Sequence, residues 1–270
     1  MVHAREHLTP IFQQNEVLFG HDSTPGIVAF EIDGMDKVKI FRRQDGKTET
    51  DTVPFHPFML LEGDGALKDW KGDAALRKLD GRGAFNHLAL FPDLKQLEQA
   101  KFHLQKKTGK ASSTSDLPYW YFSDPIQQFL LLSGKTHFLG MAFRDLKRLQ
   151  LDIETYCQPG FEFANSARES DRITAIALSD STGWERLISG KEFDEAEMLR
   201  ELGKEIAERD PDVIEGHNLF RFDLEYIEAR ARKYKIELNF GRNGSRLSSH
   251  ASRMQVAERT ITYRKYEIFG

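Results

Sequence analysis

The sequence predicts two domains in tandem: a smaller α+β domain over residues 1–145, then an α/β domain with a mixed sheet over residues 146–270. Three observations predict this. The first half holds short β-rich runs punctuated by Gly, Pro and Asp. The second half orders its periodic segments as three meandering strands, a helix, a short apolar strand and a helix, the pattern of a sheet carrying helices. The length, 270 residues, suffices for two modest cores.

In the first domain, Gly26 to Ile32 is apolar and reads as a strand, Asp33-Gly34 supplies turn chemistry, and Val38 to Arg42 reads as the second arm of a hairpin. Pro57 interrupts Val53 to Glu62; because proline cannot donate to a ladder, this run is expected at a sheet edge. Ala74 to Leu79 has helical spacing, and Phe85 to Phe91 is a further strand. Pro92 to Lys107 reads as a helix with Leu94, Leu97, Ala100 and Leu104 on one stripe. The order strand, helix, strand, helix resembles a ferredoxin-like module. Gly109 to Asp116 is a polar connector. Tyr119-Trp120-Tyr121-Phe122 reads as core, with base stacking as the functional alternative, and a short helix follows over Pro125 to Leu132.

In the second domain, Leu149 to Thr155 alternates, with Leu149, Leu151 and Ile153 on one side and Gln150, Asp152 and Glu154 on the other, as in a half-buried strand. Arg172 to Ser179 and Trp184 to Ser189 continue the meander across the turn at Asp180 to Gly183. Asp194 caps a helix with Leu199, Leu202 and Ile206 inward and acids near its start, and Asp210-Pro211 stops it. Asp212 to Gly216 is a short buried strand, Phe222 to Lys235 a helix, and Arg259 to Ile268 a last strand.

Composition narrows the function classes. Forty per cent hydrophobic and thirty per cent charged residues are ordinary for a globular chain. The single cysteine, Cys157, excludes an internal disulfide and fits a reducing cytoplasm. No apolar run approaches the ~18 residues that span a bilayer, and Met1 to His7 lacks the apolar core of a secretory signal. A net charge of -4 gives no global attraction to nucleic acid, so such binding must use local basic patches.

The chemistry concentrates in two acidic motifs. Asp152 and Glu154, two apart on a strand, share one face, and two adjacent carboxylates repel unless a cation lies between them. A hard divalent ion such as Mg²⁺ or Mn²⁺ suits those oxygens; the structural alternative is a strand with a polar outer face. The second motif, Gly216-His-Asn-Leu-Phe-Arg-Phe-Asp223, follows the short strand. Its glycine allows a close turn, Asn218 offers donors and acceptors, Phe222 can pack beneath a base or sugar, and Asp223 falls in the first helical turn, at the positive end of the dipole. Ligands of open α/β sheets bind outside the carboxyl ends of the strands, and Asp152, Glu154 and Asp223 all map there.

Together these motifs resemble the 3′–5′ proofreading exonuclease region of family B DNA polymerases, a DEDD exonuclease on a ribonuclease-H-like fold. Asp152-Ile153-Glu154 matches the family's D-x-E motif, and Asn218 through Phe222-Asp223 its second. Asp124 to Gly134 and Gly140-Met141 look like the stretch leading into that domain, so the resemblance covers essentially the whole chain, with residues 1–145 as the polymerase N-terminal domain. The family's third motif, Y-x₃-D, has no acceptable match: Tyr263 and Glu267 are four apart but lie on the predicted last strand. The palm-domain carboxylates of nucleotide transfer are absent as well. The expectation is therefore an N-terminal fragment of a longer polymerase whose exonuclease domain is incomplete at its C-terminus, with weak metal affinity and little or no hydrolysis of its own. Two-metal hydrolysis is what the resemblance implies for the complete site. Asp152 would bridge both ions, Glu154 would ligate the one that activates water, and Asp223 would support the second. DNA is the implied partner, as a single-stranded 3′ end and a primer-template, with no membrane and no identifiable processivity partner.

Arg242, Arg246 and Arg253 lie in Asn239 to Arg253, which has little to bury and reads as an irregular surface segment. They are candidate DNA contacts through phosphate. The basic helical face of Arg230, Arg232, Lys233 and Lys235 reads as solvated. Gly134-Lys135-Thr136 lacks the first glycine of a phosphate loop, and His3 with His7 lacks a third metal ligand. The alternatives to the enzyme are a nucleic-acid-binding module that keeps the acids without hydrolysis, and a hydrolase completed by another chain.

Overall fold

The computed structural model describes residues 20–110 and 116–268; His3, His7 and most of the polar connector lie outside them. The chain divides into two compact units, Met1–Gly140 and Met141–Gly270.

The first unit contains two antiparallel sheets. Strands β1 (Ile27–Asp33), β2 (Lys37–Gln44) and β3 (Lys47–Pro54) form a meander. Strands β4 (Phe58–Leu61), β5 (Ala75–Lys78), β6 (His87–Leu90) and β7 (Tyr119–Trp120) form the second sheet in the order β5-β6-β4-β7. Helix α1 (Leu94–Thr108) is capped by the Asp93 side chain and buries Leu97, Ala100 and Leu104 with Met59, Leu61, Ala89 and Phe91. Helix α2 (Pro125–Ser133) is capped by Asp124, and its Phe129 joins Ile27, Phe30, Val38, Ile40 and Phe55.

Three expectations change here. The Ala74–Leu79 segment is strand β5, exposed along its length and paired to β6; helical spacing over so few residues is a weak preference that cross-strand pairing overrides. The strand after Pro57 is not an edge: β4 lies between β6 and β7, and Pro57 precedes it, its carbonyl accepting from Phe91 N at 2.8 Å, so no ladder donor is lost. With β5 a strand, the unit has two separate sheets instead of one ferredoxin-like sheet. Tyr119 is core, whereas Trp120 is exposed. Gly134 ends α2 in the left-handed conformation. Lys135 Nζ pairs with Asp22 at 2.7 Å, a structural role for the residue that resembled a phosphate-loop lysine.

The second unit is built on strands β8 (Arg148–Thr155), β9 (Ile173–Asp180), β10 (Glu185–Ser189) and β11 (Val213–Glu215) in the order β10-β9-β8-β11. β8–β9 and β9–β10 are antiparallel and β8–β11 parallel, giving the mixed sheet. Helices α3 (Glu195–Arg209) and α4 (Asp223–Tyr234) contribute Leu199, Leu202, Ile206, Leu224 and Ile227 to the core that takes Leu149, Leu151 and Ile153 from β8. Asp194 and Glu197 form a reciprocal capping box at α3, which ends at Asp210 in the left-handed conformation before Pro211. The expected irregular segment is ordered differently. A short 3₁₀ turn (Arg242–Gly244) leads into β12 (Ser248–Val256), which pairs along its length with β13 (Arg259–Glu267) as a two-stranded ribbon. Pairing with β13, not an apolar pattern of its own, makes β12 a strand. Among the described residues no helix is long and apolar enough to cross a membrane.

Candidate active site

Strand β8 alternates as its sequence demands: Leu149, Leu151 and Ile153 are buried, while Gln150, Asp152 and Glu154 are exposed on the opposite face. Asp152 therefore opens into a surface cleft of about 1000 Å³ that Gln150, Ser179, Arg186, Glu215 and His217 also line. Immediately after Glu154 the pairing with β9 slips: Glu154 faces Ala175, but Thr155 faces Ile173. Such a bulge re-aims the side chains beside it.

The second motif reaches β8 through a close backbone approach. A side chain at Gly216 would place its Cβ 2.5 Å from the Leu151 carbonyl oxygen, so only glycine passes here unhindered. Asn218 is exposed and left-handed (φ 56°), a conformation asparagine tolerates. Its carbonyl accepts from Arg221 N and Phe222 N, closing the turn that starts α4. Asp223, the first residue of α4, is buried, and its Oδ1 accepts from Ile153 N at 3.1 Å. Its carboxyl is pushed above the usual range, first by burial and further by the charge of Asp152, against the Ile153 hydrogen bond and His217. Asp223 is thus tied to the backbone between Asp152 and Glu154 and close enough to Asp152 to feel its charge. Glu154 stands one pleat further along the same face. Among the described residues no three His, Cys, Asp or Glu side chains lie close enough as they stand to hold a metal ion. The donor set is nonetheless all hard oxygen, with repulsion between two members that a divalent cation would relieve.

Residues 138–270 match the family model for the exonuclease domain of DNA polymerase family B. The chain carries a family B exonuclease domain. It is similar to a DNA polymerase of Pyrococcus glycovorans, 39% identical over 110 residues that cover 37% of this chain and 13% of that protein. A DNA polymerase of Thermococcus gorgonarius is 27% identical over 240 residues, covering 79% of this chain and 29% of that protein. Among solved structures, the family B DNA polymerase of Pyrobaculum calidifontis matches with a TM-score of 0.50 and 18% identity over 82% of this chain and 33% of that one. That likeness shows the fold. The chain spans less than a third of the length of these two curated relatives. Exonuclease domains of this family are metal-dependent in general.

In the family B exonuclease domain the three candidate arginines have different surroundings. Arg242 is largely buried and pairs with Asp210 and Asp212, closing the segment after α3 instead of reaching outward. Arg246 is exposed and pairs with Glu237. Arg253 is exposed on β12. Phe222 is partly exposed and lies against Tyr226 with ring centroids 5.5 Å apart. Sequence reasoning passed over Phe161 and Phe163, exposed on the β8–β9 loop that begins just after Glu154. Two aromatics beside a glycine in a polar loop were the signal available.

Proposed function

We propose that the second unit is the 3′–5′ proofreading exonuclease domain of a DNA-synthesising enzyme, acting on a single-stranded 3′ DNA end. Asp152, Glu154 and Asp223 would hold Mg²⁺ or Mn²⁺, two ions in a complete site. Residues 1–145 would be the N-terminal domain of the same polymerase. The observation that carries this reading is the hydrogen bond from Ile153 N to Asp223, which locks the second motif onto the backbone between the two acids of the first. Divalent ions bound there would activate water and neutralise charge on the scissile phosphate. The chain's own residues do the rest. Strand β8 presents Asp152 and Glu154 outward, while α4 and Ile153 fix the Asp223 carboxylate between them. The Asn218 side chain offers hydrogen bonds to the terminal nucleotide, and the open face of Phe222 supports its base or sugar. Arg253 and Arg246 offer charge to phosphates along the strand.

The test is electron paramagnetic resonance of Mn²⁺ added to this chain and to Asp152→Asn, with 3′-end-labelled single-stranded DNA digested by a protein of the relatives' full length. Asp152→Asn should weaken Mn²⁺ binding at least tenfold, and Asp152→Ala should abolish nucleotide release. Mn²⁺ binding that is indifferent to Asp152 refutes the assignment. A second reading, a nucleic-acid-binding module without hydrolysis, is favoured by the lack of a three-ligand cluster among the described residues. DNA binding that survives Asp152→Ala, with no nuclease activity in the full-length protein, supports that reading instead.

A further inference from the structure

Arg230 was expected to be solvated, yet it is 1% exposed and forms a buried ion pair that touches none of the three carboxylates. Its guanidinium uses three nitrogens. Nε donates to Glu195 Oε1 at 2.7 Å and Nη2 to Glu195 Oε2 at 2.5 Å. Nη1 donates to the carbonyls of Ser166 (3.2 Å) and Arg168 (3.0 Å) in the β8–β9 loop. Glu195 also accepts from Tyr234 Oη at 2.7 Å and from Ile173 N at 2.8 Å. Ile173 is the residue that faces Thr155 across the bulge following Glu154. The pair therefore grips the far side of the kink that aims Glu154. From the same helix, Tyr226 Oη donates to the Asp171 carbonyl at 2.7 Å, and Asp171 accepts from Gln158 N and Asn165 N, folding the loop. Asp223 begins that helix. A buried ion pair is weak evidence for stability in itself, since apolar residues can fill the same volume; here an apolar pair would free Ile173 N and two loop carbonyls.

We propose that Arg230, acting through Glu195, is a positioning residue for the carboxylate site, fixing the bulge that aims Glu154 relative to Asp223 on its own helix. The proposal rests on the reading of Asp152, Glu154 and Asp223 as a metal-holding set. Lysine at this position keeps the charge but cannot span Glu195 and both carbonyls.

The experiment compares the wild-type chain with Arg230→Lys by amide hydrogen exchange, amide chemical shifts and Mn²⁺ titration. In Arg230→Lys, exchange at Ile173, Gln158 and Asn165 should rise at least tenfold, the Glu154 and Thr155 amide resonances should move, and Mn²⁺ affinity should fall at least fivefold. Leu202→Ala, a core truncation away from the clamp, should lower Tm while leaving Mn²⁺ affinity within twofold, which separates positioning from lost stability. Should Arg230→Lys fail to fold, Tyr234→Phe removes one bond to Glu195 and should accelerate Ile173 exchange about threefold. A folded Arg230→Lys, or Tyr234→Phe in its place, with unchanged Ile173 exchange and unchanged Glu154 and Thr155 resonances overturns the proposal. Wild-type Mn²⁺ binding no tighter than that of Asp152→Asn defeats the metal reading alone; the resonances then decide whether the bulge is positioned.

Discussion

Replacing Asp223 by Asn should stabilise the metal-free chain while removing its response to divalent ions. Asp223 is 1% exposed and receives Ile153 N at 3.1 Å. Burial, with the Asp152 charge, holds its carboxyl above the ordinary value of 3.8. Because the folded value is raised, the native state binds this proton more tightly than the unfolded chain does. Stability therefore falls as pH rises from the unfolded value through the raised one, and the full penalty is present above the raised value. Asparagine keeps an oxygen for Ile153 N and carries no charge. A buried group short of partners costs about 1–3 kcal/mol, and 1 kcal/mol moves Tm by roughly 3–5 °C for a domain near this size. Differential scanning calorimetry in chelator should thus show Asp223→Asn melting roughly 3–15 °C higher than wild type. With Mn²⁺ at about ten times its Kd, wild type should gain about 1.4 kcal/mol and the variant much less. A variant that melts lower in chelator, or that gains as much from Mn²⁺ as wild type, refutes the reasoning.

Gly216→Ala would put a Cβ 2.5 Å from the Leu151 carbonyl oxygen. The clash should cost about 1–3 kcal/mol and weaken Mn²⁺ binding; wild-type values for both would show that the close approach is not needed. Glu195→Ala leaves the buried Arg230 charge without its carboxylate, with only the Ser166 and Arg168 carbonyls as partners, and should cost about 3–5 kcal/mol in urea unfolding. Arg232→Ala, whose side chain is 71% exposed and paired with Glu228, should cost under about 1 kcal/mol. In the first unit, burial pushes the Asp22 carboxyl up, but hydrogen bonds from Lys135 and Thr24 outweigh it and bring it down to about 2. The stability this confers is present above the unfolded value of 3.8 and is lost as pH falls towards about 2, an acid dependence that Lys135→Met should weaken when exchange of first-unit amides is followed against pH.

Much of the candidate site was legible because local chemistry determines it. The period-two alternation of β8 put Asp152 and Glu154 on one face, and the cap and stop residues around α3 and the turn before α4 placed Asp223 at a helix start. Arg230 was misread because helix periodicity says which residues share a face but not whether another element covers it; Glu195 and the β8–β9 loop do. Strand β5 and the ribbon strand β12 were misread because each is a strand by virtue of its partner.

By itself the sequence determined the two carboxylate motifs, the helices with strong caps and the strands with clean alternation, all of which depend on neighbours within a few residues. Only the tertiary structure decided that Ile153 N holds Asp223, that Leu151 requires a glycine at 216, and that a buried ion pair secures the bulge beside Glu154. Those contacts join groups from 22 to 70 positions apart. Distances of that kind are set by how helices lie on a sheet, which no local pattern of residues encodes.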